Sequence, residues 1–237
     1  GLPWGPTVAD TTTFRDAISV LEKYALWERV PDSVRKHLEK ADPKEETPKL
    51  KDLDRGGVKV HNFVLANSEN VCEAARKRAE ELGYNSMILS AVMEGESREV
   101  GIALAGIARE AEKSGRPLKP PCVLIVGGET TVTITGEPGE GGRNQEFALA
   151  ASLKIDGSRR IVIASVGTDG TDGPTDIAGG IVDGFTVQRA RERNIDLFQN
   201  LTRHNSSYVF RQLDDAIFTG PTGTNVMDLR LLVVGTS

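Results

Sequence analysis

Cysteine is scarce in this 237-residue sequence: Cys72 and Cys122 stand 50 positions apart, with no CxxC pair and no histidine at metal-ligand spacing. A disulfide-stapled scaffold and a cysteine zinc site are both excluded. The two thiols are expected to be buried and reduced, as in a cytoplasmic protein. Histidines number three, His37, His61 and His204. None has a recognisable nucleophile beside it, so each is expected to be structural. No apolar run approaches the roughly 18 residues that cross a membrane. The formal net charge is −5 and no stripe of Lys and Arg is clustered, which argues against nucleic acid as a partner. Sequence motifs are missing too. There is no GxxxxGK[ST], no GxGxxG after a strand, no HExxH and no GxSxG, so P-loop, dinucleotide-fingerprint, zincin and α/β-hydrolase readings lack support. The first five residues lack a Met, a basic stretch and an apolar stretch, so they do not read as a secretory signal. They read as an internal starting point.

What is present is ordinary globular composition, 38% hydrophobic and 27% charged, with one anomaly. Of 25 glycines, 13 lie between Pro121 and Gly184, concentrating turns and close backbone approach there. The amino-terminal part reads as helical: after a turn at Gly5-Pro6-Thr7, an amphipathic helix over 14–25 capped by Thr12 or Thr13, then a short helix over 32–40. Residues 41–57 are charged and proline-punctuated and read as a linker, giving a boundary between 1–57 and 58–237. Beyond it, the pattern predicts strands at 60–66, 86–92 and 122–126, with helices at 68–82 and 97–113 between them. A hairpin strand at 131–135, a helix at 143–154 and a strand at 161–166 follow. Helices at 178–193 and 207–213 and strands at 216–219 and 229–234 complete the reading. The expected fold class is α/β, a mixed, largely parallel sheet flanked by helices, with an N-terminal helical segment.

Ligands of such sheets bind outside the carboxyl ends of strands, where loops and helix N-termini present free N–H groups. Asn67-Ser68 after the first expected strand reads best as a plain helix cap. Gly139-Glu140-Gly141-Gly142-Arg143-Asn144-Gln145-Glu146 is the most informative run. Glycines before a helix let the backbone approach an anion, and Arg143 adds a planar fork. The bland reading is a surface loop with Glu146 pairing Arg143. Thr168-Asp169-Gly170-Thr171-Asp172-Gly173-Pro174-Thr175-Asp176 brings three carboxylates to a strand end, suited to Mg²⁺ or to a substrate hydroxyl. It does not match the twelve-residue calcium loop, whose acidic twelfth position would fall on Gly180. Asx turns and caps are the competing use of those residues, and at least one carboxylate is expected to be a cap.

Four motifs in order resemble the MOFRL family, the carboxyl-terminal part of class II glycerate 2-kinases. They are Gly127-Gly128-Glu129-Thr130-Thr131-Val132, Gly142-Arg143-Asn144-Gln145-Glu146, Gly167-Thr168-Asp169-Gly170-Thr171-Asp172-Gly173-Pro174 and Thr219-Gly220-Pro221-Thr222-Gly223-Thr224-Asn225-Val226-Met227-Asp228-Leu229. The run from Gly5 to Phe14 resembles a segment upstream in the same enzymes. The resemblance implies transfer of a phosphoryl group from ATP, with Mg²⁺, to the 2-hydroxyl of D-glycerate in a cleft between two α/β domains. On matching positions, Arg143 would stabilise the transferring phosphoryl and Asp169 would assist the hydroxyl or the metal. Gly127, Gly128, Glu129, Thr130, Asn144, Gln145, Thr168, Thr224 and Asn225 would line the cleft, and Asp172 would contact the metal. The partners implied are D-glycerate, ATP and an amino-terminal domain of the same protein, together with a second copy of the chain in a homodimer. Because these kinases are about twice as long and take a lysine from that domain, the 237-residue chain alone is expected to show little kinase activity. A hydroxypyruvate reductase-type oxidoreductase, an older label of some relatives, and a non-catalytic anion-binding module are the alternatives.

Overall fold

The computed structural model describes residues 7–49, 52 and 59–236. The chain divides into two compact units, 1–65 and 66–237. The expected boundary at 57/58, much of the linker's second half and the first two residues of the Gly5-Pro6-Thr7 turn lie outside the described residues.

The first unit carries helices α1 (Phe14–Lys23) and α2 (Asp32–Lys40), joined through a 3-10 turn at Trp27–Arg29. Thr13 caps α1. Asp16 N–H donates to its hydroxyl, and Thr13 N–H donates to the Asp16 carboxylate at 2.8 Å, a reciprocal box that satisfies two orphan donors. His37 of α2 packs edge-on to Phe14, ring centroids 5.5 Å apart. The strand expected at 60–66 does not form. Phe63 and Leu65 are exposed there, and no described strand pairs with them.

The second unit holds α3 (Ser68–Glu81), β1 (Asn85–Met93), α4 (Ser97–Ser114), β2 (Cys122–Gly128), α5 (Arg143–Ile155), β3 (Ile161–Gly167) and β4 (Gly179–Asp183). It continues through α6 (Thr186–Glu192), α7 (Leu197–Thr202), α8 (Ser206–Leu213), β5 (Ala216–Ile217) and β6 (Asp228–Val234). Asn67 caps α3 in a box with Asn70, as its position before the helix predicts. The six strands form one mixed sheet in the order β1-β2-β6-β3-β4-β5. Only the β1–β2 pairing is parallel; the four others are antiparallel. The α/β class and the mixed sheet are as expected, but the expectation of a largely parallel sheet is corrected. The reason is the last strand, which inserts between β2 and β3 and runs against both.

Two further elements differ from expectation. Residues 131–135 make no hairpin, because the place beside β2 is taken by β6. Thr131 instead bridges in parallel to Glu96, and the Glu96 carboxylate receives the backbone N–H of Thr133 at 2.7 Å. The helix expected over 178–193 is a strand followed by a shorter helix. Gly179 and Gly180 let β4 approach so closely that a Cβ would stand 1.8 Å from Ser165 O and 2.5 Å from the Phe210 ring.

The core lies in two layers. Leu124, Val126, Leu232 and Val234 face α4 and α5 with Leu104, Ala108, Phe147 and Leu149, whereas Val123 and Ile125 face Cys72 and Ala79 of α3. Both cysteines are free and buried, and burial pushes both thiols up. Helices α4 and α5 meet at Gly101, where an added Cβ would lie 2.4 Å from Phe147 O. A backbone oxygen cannot move aside as a flexible side chain can. Gly101→Ala is therefore expected to destabilise the unit by about 1–3 kcal/mol in urea unfolding, and a neutral result would contradict this packing.

Candidate anion site at the glycine-rich sheet edge

Strand directions bring the glycine-rich loops together. β1, β2, β3 and β5 all end at one edge of the sheet, and β6 starts there. Its first residue, Asp228, sits in register between Gly128 and Gly167. Asp228 and Arg230 are two apart on one strand, so they share the face that carries α4 and α5. Both are fully buried.

The Asp228 carboxylate organises what surrounds it. Arg143, at the first position of α5, donates to it twice, from Nε at 2.8 Å and Nη2 at 3.0 Å. Asn144 Nδ2 donates at 2.9 Å and Arg230 Nη2 at 2.9 Å. Arg230 lies over the Phe147 ring, 5.1 Å from its centroid, and Nη2 also donates to Thr130 Oγ1 at 2.7 Å. Its Nε and Nη1 have no hydrogen-bond partner among the described residues. Burial, the largest influence, lowers the Arg230 pKa although Asp228 opposes the shift. Burial also opposes the charge on Arg143, but the bonds to Asp228 and the nearby Glu129 and Asp172 outweigh it, and the pKa of Arg143 is raised. Arg143 Nη2 pairs with Glu129 at 3.1 Å. Its Nη1 makes no hydrogen bond among the described residues, and the side chain is 30% exposed. Two donors of a guanidinium locked by a buried carboxylate thus remain available to a ligand anion.

Arg143 lines a cleft of about 460 Å³ with Glu129, Gly141, Gly142, Glu146 and His204. The loop before α5 is held to the turn bearing His204: Gly139 N–H donates to Arg203 O at 2.8 Å, and Ser207 N–H to Glu140 O at 3.0 Å. Glu146 is buried, and its partners are Arg98 at 2.8 Å and His204 Nδ1 at 2.9 Å, so the expected surface pairing of Glu146 with Arg143 is not what forms.

The expected site residues separate into three groups. Glu129, Thr130 and Arg143 line the cleft, although Thr130 is buried, with its hydroxyl bonded to Ser97 at 2.6 Å and to Arg230. Thr168, Asp169, Thr224 and Asn225 form a neighbouring cluster where the loop after β5 folds onto the loop after β3. Asn225 Nδ2 donates to Asp169 Oδ2 at 3.3 Å, Thr168 Oγ1 donates to Met227 O at 2.6 Å, and Thr222 Oγ1 bonds the carbonyls of Thr168 and Thr224. A Cβ on Gly167 would meet Asp169 Oδ1 at 3.3 Å and Asn144 Nδ2 at 3.6 Å, so Asn144 stands between the two clusters.

The third group faces inward. Gly127 admits Ser68 and Cys72 of α3, which would lie 2.3 and 2.6 Å from a Cβ, and Gly128 at φ +123° admits the Met93 backbone. Asn144 and Gln145 are fully buried. Asp172, expected as a metal contact, caps α5. Its carboxylate accepts the backbone N–H groups of Asn144 and Gln145 at 3.0 and 2.9 Å and both side-chain amides at 3.2 and 3.1 Å. Four donors fill its acceptor positions and leave none for a cation. Burial raises its pKa despite these bonds. No group of three or more His, Cys, Asp or Glu side chains able to hold a metal exists among the described residues. Asp169 accepts from Thr171 N–H at 3.1 Å as well as from Asn225.

Reading the sequence for site residues missed Asp228, Arg230, Arg98 and His204. The signal for the first two was available: an acid and a base alternate into an otherwise apolar strand, Asp228-Leu229-Arg230-Leu231-Leu232. Arg98 and His204 carry no such sign, being distant in sequence and joined only by folding.

Known proteins resemble the chain along nearly its whole length. The MOFRL family model matches residues 122–228, and a domain of unknown function, DUF4147, matches residues 4–39. The chain is 47% identical to a glycerate 2-kinase of Pyrococcus horikoshii over 97% of its own length and 51% of that protein. A glycerate kinase of Macaca fascicularis is 31% identical over 96% of this chain and 67% of that protein. The crystal structure of a glycerate kinase from Thermotoga maritima superposes with a TM-score of 0.76 at 40% identity, covering 95% of this chain and 51% of that one. The chain thus spans about half the length of the Pyrococcus and Thermotoga proteins. No helix among the described residues is long and apolar enough to cross a membrane. With its matched segment running from the start of β2 to the start of β6 and containing Arg143, Glu146 and Asp172, the chain belongs to the MOFRL family.

Proposed function

We propose that this chain supplies the anion-receiving part of a glycerate 2-kinase site, in which the terminal phosphoryl of ATP passes to the 2-hydroxyl of D-glycerate. The observation that carries the reading is Arg143: its guanidinium is fixed by Asp228, its Nη1 has no partner among the described residues, and it stands at a cleft beside a glycine-rich helix start. Phosphoryl transfer asks a protein mainly for positioning and for fixed positive charge near the equatorial oxygens, which this arrangement can provide. The relatives named glycerate 2-kinase and glycerate kinase support the substrate. Asp169 would contribute one oxygen toward Mg²⁺ or toward the attacking hydroxyl. A further domain of the same protein would close the cleft, and the cytoplasm and a homodimer remain part of the proposal.

Calorimetry on the purified chain tests it. Inorganic phosphate and ATP should each bind, while formation of 2-phosphoglycerate from ATP and D-glycerate should stay far below ~1 s⁻¹, the low end of ordinary turnover. No binding of phosphate, ATP or glycerate would overturn the anion site. Turnover at an ordinary rate would overturn the assignment of only part of the site to this chain.

A further inference from the structure

The cleft contains an oriented imidazole that the reading above does not use. His204 is 6% exposed, lines the cleft, and holds a left-handed backbone at φ +50°. Its Nδ1 lies 2.9 Å from Glu146 Oε2, while Arg98 contacts the other carboxylate oxygen from Nη2 at 2.8 Å and Nε at 3.0 Å. Arg98 Nη2 also lies 3.3 Å from Nδ1 and can only donate, but it is closer to Glu146 Oε1, at 2.8 Å; the shorter 2.9 Å contact of Nδ1 with the Glu146 carboxylate, an acceptor when ionised, favours the ring proton on Nδ1. In that tautomer the second nitrogen, Nε2, is a bare acceptor. It makes no hydrogen bond among the described residues. Glu146 follows Arg143 by three positions on α5, which puts the two side chains on one helix face. The anion receptor and the imidazole acceptor therefore share one wall of the cleft.

We propose that His204 Nε2 accepts a hydrogen bond from a hydroxyl of the ligand whose anionic group is held at Arg143, with Glu146 and Arg98 as positioning residues that fix the tautomer. The proposal rests on the anion-site reading and deepens it: the cleft selects a hydroxylated carboxylate or phosphate over one without hydroxyls. A site built to pair a hydroxyl discriminates strongly against a ligand that lacks it, because a polar atom is left unpaired.

Long-range proton–nitrogen correlation NMR on the 237-residue protein reads the tautomer directly. The His204 signals are identified by their loss in His204→Asn, a substitution that tolerates the left-handed backbone and keeps an N–H for Glu146 while deleting Nε2. The resting protein should show His204 protonated at Nδ1. D-glycerate should shift the Nε2 resonance, and propionate, which has no hydroxyl, should not. D-glycerate affinity should fall about tenfold in His204→Asn, with propionate unaffected. In Glu146→Gln, Arg98 holds the amide oxygen, the amide N–H turns to Nδ1, and the tautomer should reverse. A resting proton on Nε2, or an Nε2 resonance unmoved by D-glycerate, overturns the proposal. Phosphate binding in Arg143→Ala separates the two ideas. Phosphate binding lost in that variant, with His204 unmoved by D-glycerate in the parent, rejects the His204 role alone. Phosphate binding retained rejects the anion site, while the resting tautomer still decides the state of the ring.

Discussion

Asp228→Ala should lower the unfolding free energy by about 3–5 kcal/mol, the cost of breaking a buried ion pair from one side. For a protein of this size that is a fall in Tm of roughly 6–20 °C. The size follows from what remains. Arg230 would keep its burial and its contact with Phe147, but of its present hydrogen bonds only that to Thr130 would survive, on a guanidinium already lacking partners at Nε and Nη1. Asn144 would lose one acceptor and Arg143 its anchor. Urea unfolding followed by circular dichroism is the measurement. A loss under about 1 kcal/mol would mean that water or relaxation rescues Arg230 and that Asp228 is not the anchor described. Asp228→Asn, which keeps shape and removes charge, should fall between parent and alanine.

Arg143→Ala should show the opposite balance. Asp228 would keep Arg230 and Asn144, so the unfolding free energy should drop by no more than about 1–2 kcal/mol. Phosphate affinity should fall roughly 10- to 100-fold, as expected for lost charge-assisted bonds. Joined to the amino-terminal half that longer relatives would supply, the variant should turn over D-glycerate about 10²- to 10³-fold more slowly, the usual effect of removing one preorganised donor from a developing charge. Arg143→Lys should not restore it, since a lysine cannot hold Asp228 through two parallel bonds while offering a third direction to a ligand. Turnover within a few-fold of the parent would end the assignment.

Much of the fold could be read from the chain because its elements are punctuated. Strand β2 is a continuous apolar run, α4 ends at Gly115, and α5 follows a glycine loop, so pattern and breaker agree. The failures have a common physical origin in which strand neighbours which. Residues 131–135 alternate as a hairpin strand should, but the vacancy they would fill is claimed by a strand almost a hundred residues later. Gly179-Gly180 preceding Ile181-Val182 reads as a helix interrupted, yet the missing side chains are what let β4 press against Ser165 and Phe210. The site divides in the same way. Arg143 and Asp169 stand out because glycines frame them, and a cap was expected among the three carboxylates, but not that Asp172 would cap a helix at Asn144, 28 residues earlier. Whether an acid turns inward to bind N–H groups or outward toward a cation depends on the helix start it meets, and no local spacing reports that.

Inserting β6 between β2 and β3 also ties completion of the sheet to completion of the site. Until residues 228–234 are in place, β2 and β3 each present an open hydrogen-bonding edge, and the sheet exists only as fragments joined through a gap. The contacts that close the gap are far apart along the chain and therefore slow to form. The strand that closes it begins with the carboxylate that fixes Arg143. A nascent chain can consequently hold most of its helices and strands and still have no anchored guanidinium. Sheet closure and the arming of the anion receptor are one event, so partly folded protein should be blind to phosphate.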